Sequence, residues 1–134
     1  MASHQGIFEV YHRGDPSRIT VWRTQGFKSE TSELWRGCSV TDRSHFANID
    51  QLIDRFARGE QLSQSSFRKE RVGYAFRSGT LRFYGVFSSH HCAAFVLSHA
   101  IIKRHEKLLG SDVQRMEECL AAFDSLLALP AIST

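Results

Sequence analysis

Arg77 and Arg82 stand within "YAFRSGTLRFYGVF" (Tyr74 to Phe87), a stretch otherwise made almost entirely of aromatic, aliphatic and small residues. A guanidinium set beside a core loses hydration, and this is tolerated where the charge is solvated, paired or used on an anionic ligand. Its planar, permanently charged fork of donors suits phosphate, which it can grip bidentately. The chemistry open to such a pair is therefore the handling of phosphate charge, on a nucleic-acid backbone or on phosphorus during reaction. His99 follows, and then the cations Lys103 and Arg104. The pKa range of His99 suits proton transfer and a satisfied structural site equally.

Whether the arginines act together depends on the strands that carry them. Ser78 and Gly79 are turn residues, and a two-residue loop there pairs Arg77 with Thr80, Phe76 with Leu81, Ala75 with Arg82 and Gly73 with Tyr84. Alternation then gives a core face of Val72, Tyr74, Phe76, Leu81, Phe83 and Phe87. The other face carries Arg71, Gly73, Ala75, Arg77, Thr80, Arg82 and Tyr84, with small residues lowering the floor into a shallow basic trough. Continuing through "SSHH" and pairing Phe87 with Cys92 puts His99 opposite Thr80 on the arginine side, together with Phe95 and Leu97. Those two apolar residues require a helix or chain segment over part of that face. Lys103, Arg104 and His105 end the strand in a basic loop expected to be mobile enough to close over a ligand.

The elements around this hairpin have their own signals. "IFEVYHR" (Ile7 to Arg13) and "RITVWRT" (Arg18 to Thr24) are β-rich and flank the turn-like "GDPS". "SETSELWRG" predicts a short helix capped by Ser29 or Thr31, with Leu34 and Trp35 facing inward. From Asp42 to Arg58, Phe46, Ile49, Leu52, Ile53 and Phe56 recur at helical spacing, and Gly59 supplies a stop. Three strands follow over Arg71 to Arg77, Thr80 to Phe87 and Cys92 to Ala100. Ser111 with Gln114 has the pattern of a capping box, and Val113, Met116, Leu120, Phe123 and Leu127 make one apolar stripe. The order predicts an α+β domain: a small antiparallel sheet with a mixed edge, packed against N-terminal helices and a C-terminal helix.

A chain of 134 residues, 42% hydrophobic and 23% charged, is expected to form one domain over residues 1–134 and argues against disorder. No apolar run approaches the ~18 residues of a membrane span, and "MASHQGIFEV" lacks the apolar centre of a signal peptide, so a cytoplasmic protein is expected. Cys38, Cys92 and Cys119 are widely separated and lack CxxC spacing, which predicts small core residues and no disulfide framework. "HHC" at His90 to Cys92 has no second ligand pair spaced to complete a metal site, and no cofactor is expected. The net charge of +3 is unevenly spread: from Arg68 to His105, seven Lys/Arg accompany one acid, Glu70. The remainder has ten bases and thirteen acids. An anionic partner for the basic half is expected, nucleic acid first.

In order, "FRKERVGYAFRSGTLRFYGVF", "FVLSHAIIKRHEKL" and a capped terminal helix resemble the RelE/HigB superfamily of bacterial toxin–antitoxin toxins, in particular its phage-associated HigB-like branch. The resemblance covers about half the chain from Phe46 onward and leaves residues 1–40 unmatched. Ala75 stands where that branch usually has glutamate, Lys103–Arg104 where it has Lys-Lys, and "EKLLGSD" lacks its Thr-Pro. The resemblance implies a RelE-like fold and metal-independent cleavage of mRNA, usually on a ribosome, which inhibits translation. Arg77 and Arg82 would then stabilise phosphate charge, and His99 or a basic residue between Arg68 and Arg71 would move protons. Arg68, Lys69, Arg71, Lys103 and Arg104 would hold RNA, and Tyr84 would stack on a base. A protein antitoxin, often of helix-turn-helix type, is the implied partner. The alternatives are ParE-like inhibition of DNA gyrase and a non-catalytic nucleic-acid-binding module.

Overall fold

The computed structural model describes residues 8–12, 19–91, 93–103 and 109–127. Along the chain lie β1 (Phe8–His12), β2 (Thr20–Thr24), α1 (Gln25–Gly37), α2 (Val40–Ala57), β3 (Phe67–Glu70), β4 (Gly73–Ser78), β5 (Leu81–Phe87), β6 (Ala94–Ile102) and α3 (Gly110–Leu127). The six strands form one mixed sheet in the order β1-β2-β6-β5-β4-β3, with β2 and β6 parallel and the other neighbours antiparallel. The α+β class follows. Among the described residues no helix is long and apolar enough to cross a membrane.

Helices cover both sides of the sheet. On the α1/α2 side, Phe27, Ile49, Ile53, Phe56, Phe76, Phe83, Phe95 and Leu97 form the larger core. On the α3 side, Ala75, Tyr84, Val86, Val96, Met116 and Phe123 form the smaller one. The expected stripe of α2 buries Ile49, Ile53 and Phe56, and the chain leaves the helix at Gly59, whose φ of 86° favours glycine. The helix starts earlier than Asp42, because the Ser39 side chain accepts from the Asp42 amide.

Several local expectations give way to tertiary contacts. Thr24 caps α1 by accepting from the Phe27 amide, so Ser29 and Thr31 lie inside the helix and Thr31 bonds back to the Phe27 carbonyl. Leu34 is half-buried, but Trp35 remains 45% exposed. α3 begins at Gly110, which places Ser111 within the first turn and displaces the expected cap. β3 adds an edge strand too short and too charged to show a period. Val72 lies outside a strand and packs on the α3 side. Cys38 and Cys119 are half-buried free thiols, and Cys92 lies outside the described residues.

Two registers differ from the simple hairpin pattern. The β4–β5 loop is Gly79–Thr80, with Gly79 at φ 57°, so Arg77 pairs with Arg82, Phe76 with Phe83 and Ala75 with Tyr84. In β6, Tyr84 pairs with His99 and Gly85 with Leu97, leaving Ser98 as the extra residue of a bulge. The bulge reverses the alternation: Phe95 and Leu97 face the α1/α2 core, whereas Ile101 joins the α3 side. The expected placement of Phe95 and Leu97 beside the arginines is therefore corrected.

Candidate functional site

The β4–β5 hairpin presents its arginines because α2 anchors its turn. His45 Nδ1 and Asn48 Nδ2 lie 2.8 and 3.2 Å from Ser78 Oγ, and the His45 ring sits so close to Gly79 that a Cβ there would lie 2.4 Å from Nε2. On the α3 side of the hairpin, Arg68, Glu70, Ala75, Arg77, Arg82, Tyr84 and Lys103 line a narrow trough of about 10 Å³. That is room for roughly one water. Arg77 and Arg82 are directly opposed across the ladder, an arrangement in which like charges repel and which an anion would relieve.

Each cation is held differently. Arg82 is only 6% exposed, and its Nη1 donates to the Gly79 and Leu81 carbonyls at 2.7 and 3.1 Å, so it also ties the turn together. Arg77 is half-buried at the end of β4. Arg68 Nε lies 3.7 Å from Glu70 Oε1, which tempers the charge at one end. Lys103 arrives at the end of β6, where its amide donates to the Thr80 carbonyl at 2.7 Å and its Nζ reaches Tyr84 Oη at 3.4 Å.

Below the trough lies a buried polar stack. The Tyr84 ring is buried and stacks on His99, with centroids 4.8 Å apart and an interplanar angle of 24°. Base stacking on Tyr84 is thus corrected: His99 occupies the ring, and the hydroxyl is the part that meets the trough. Burial first, then the charges of Asp112 and Glu70, push the Tyr84 pKa up to about 12, against the pull of Arg82 and Arg77. The phenol keeps its proton at neutral pH.

His99 is fully buried, which removes it from contact with a ligand and makes it a support for Tyr84. Its Nε2 lies 2.9 Å from Asp112 Oδ1 and its Nδ1 2.9 Å from Ser98 Oγ. Burial holds its pKa below the usual value despite the opposing hydrogen bond to Asp112. A neutral ring that donates from Nε2 to the carboxylate and accepts from the Ser98 hydroxyl satisfies both contacts. Unfolded histidine takes up its proton near pH 6.5, while the folded ring resists until lower pH. The contribution to stability is therefore complete above that pH and is lost as acid is added below it. In urea titrations between about pH 7 and about pH 5.5, the wild-type midpoint should fall more steeply than that of His99→Gln. Parallel slopes would assign the acid loss to other groups.

Other expected site residues are dispersed. Lys69 pairs with Tyr74 and sits 4.8 Å from its ring, on the α1/α2 side and away from the trough. Arg71 is exposed in the β3–β4 turn and does not line the trough. Arg104 and His105 lie outside the described residues. Gly73 is not the trough floor, because it is buried against Gly85, Val86 and Met116. Asp112, Ser98 and Glu70 join the site without a sequence signal, since each is recruited by folding. Among the described residues no three His, Cys, Asp or Glu gather as a metal site. Compared with protein-family models, curated proteins and solved structures, the chain finds no match.

Proposed function

We propose that this chain is a RelE/HigB-like toxin that cleaves mRNA without a metal and so inhibits translation, acting in the cytoplasm and in association with the ribosome. The observation that carries this is the opposed pair Arg77 and Arg82 sharing one face with Lys103. Two guanidiniums and an ammonium on one side of a rigid sheet suit a phosphodiester and the extra charge that builds on it in a pentavalent transition state. In the step proposed, the ribose 2′-oxygen bonds to the adjacent phosphorus as the bond to the 5′-oxygen breaks. A cyclic phosphate and a free 5′-hydroxyl result, one proton leaving the 2′-oxygen and one arriving at the 5′-oxygen. Lys103 swings off Tyr84 to admit the phosphate, and the protonated Tyr84 hydroxyl gives a proton to the leaving 5′-oxygen. A protein antitoxin covering the basic face is the matching partner.

A second function, RNA binding without cleavage, is favoured by a specific feature. Tyr84 holds its proton tightly, His99 is buried, and Glu70, the carboxylate of the trough, faces Arg68 Nε at 3.7 Å, which leaves proton removal from the 2′-oxygen to an acceptor already engaged by a cation. Tightly controlled expression followed by mapping of mRNA 5′-ends, with and without ribosomes and with Arg77→Ala in parallel, separates the cases. New ends that depend on Arg77 support the nuclease. RNA retained without new ends supports the binding module, and DNA-damage signalling with intact mRNA supports gyrase poisoning.

A further inference from the structure

Across the sheet from the trough, a cleft of about 440 Å³ opens between α1, α2 and the β1–β2 hairpin. This lies within the roughly 300–1,000 Å³ of small-ligand sites. Its floor is aromatic: Phe83 meets Phe27 edge-on at 5.0 Å between centroids and Phe46 at 6.0 Å. At the mouth stands Trp35, which is about half exposed yet not loose. Arg43 lies 3.9 Å from its ring and donates through Nε to its carbonyl at 3.0 Å, so the indole is held in place beside the opening.

The polar groups around the cleft are unevenly engaged. The Asp50 carboxylate accepts from the Tyr11 hydroxyl, and Arg23 is engaged with Glu9 at 2.8 Å while lying 5.3 Å from the Tyr11 ring. Arg36 is exposed on the lining, and no described residue pairs with its guanidinium. An aromatic floor, a fixed indole and a cation without a partner among the described residues define a ligand with a flat ring and a negative end.

We propose that this cleft binds a planar aromatic group carrying an anion, with the ring between Trp35 and the Phe46–Phe83 floor and the charge at Arg36. The same chemistry arises in a free aromatic carboxylate or in a tryptophan beside an aspartate on a partner protein. The site does not depend on the RNA proposal, because the sheet separates it from Arg77 and Arg82.

Nuclear magnetic resonance titrations of the full chain test it, using indole-3-acetate, uncharged indole, cyclohexylacetate and the peptide acetyl-Asp-Trp-amide. Indole-3-acetate or the peptide should saturably shift Phe46, Phe83 and Trp35 signals, and Arg36→Gln, a surface change with an unchanged melting temperature, should weaken binding about five-fold. Arg77→Ala should leave the titration unchanged whatever it does to RNA. The tighter of the two charged probes identifies the source. Equal binding of indole or cyclohexylacetate, indifference to Arg36→Gln, or no saturable shift up to about 10 mM would overturn the proposal.

Discussion

Arg77→Ala should lower RNA cleavage by about 10²–10³-fold, the loss typical of removing one donor aimed at developing charge. Arg77 is the decisive position because its neighbour is compromised as a probe. Arg82 is buried and bonded to the Gly79 and Leu81 carbonyls, so its removal strips the turn of partners and mixes folding with function. Arg77 is half-buried and stands opposite a like charge, so its loss removes a repulsion along with the side chain's own contacts. The alanine variant should therefore stay folded with a melting temperature near that of the wild type, while toxicity at equal abundance collapses. Arg77→Lys keeps the charge without the planar fork and should restore RNA affinity more than cleavage. The binding constant should also lose about one counterion from its salt dependence in Arg77→Ala. Unchanged cleavage and toxicity at matched protein levels would take Arg77 out of the site.

Gly73→Ala should destabilise the protein by about 3 kcal/mol, near the upper end for overpacking a core. Its backbone angles are ordinary, since positive φ occurs only at Gly59 and Gly79 among the described glycines. The obstacle is steric. A Cβ at position 73 would lie 2.2 Å from the Gly85 carbonyl oxygen, 2.7 Å from Val86 Cγ1 and 3.0 Å from Met116 Sδ. A methionine can move, but the carbonyl belongs to the central strand β5 and cannot shift without disturbing its ladders. Met116→Ala should consequently fail to rescue Gly73→Ala. Against a total stability of roughly 5–15 kcal/mol, the loss is large enough to read as a clear fall in the urea midpoint. A Gly73→Ala protein as stable as wild type would show that β4 and β5 are spaced differently beneath α3.

The facing of the two arginines was legible in the chain, even though the expected loop was one residue early. Moving the loop from Ser78–Gly79 to Gly79–Thr80 changes every partner but preserves side, because alternation repeats every two residues. Phe76 and Phe83 thus stay in the core, and Arg77 and Arg82 stay together and become direct neighbours. The stripe of α2 was legible for the same reason, since helical period is written in consecutive residues. The bulge at Ser98 was not. One inserted residue reverses every side chain before it relative to those after it, and no local pattern marks where pairing slips.

The chain by itself determined its helices, the hairpin and the gathering of positive charge, because propensity and periodicity act between near neighbours. Tertiary structure decided that His99 would meet Asp112 across the β6–α3 junction. It also decided that Glu30 would join the Ala100 amide to Arg115, and that Lys69 would leave the arginine face. Those outcomes depend on pairing register and on side chains distant in sequence, whose contact energies exist only once the sheet has closed against its helices.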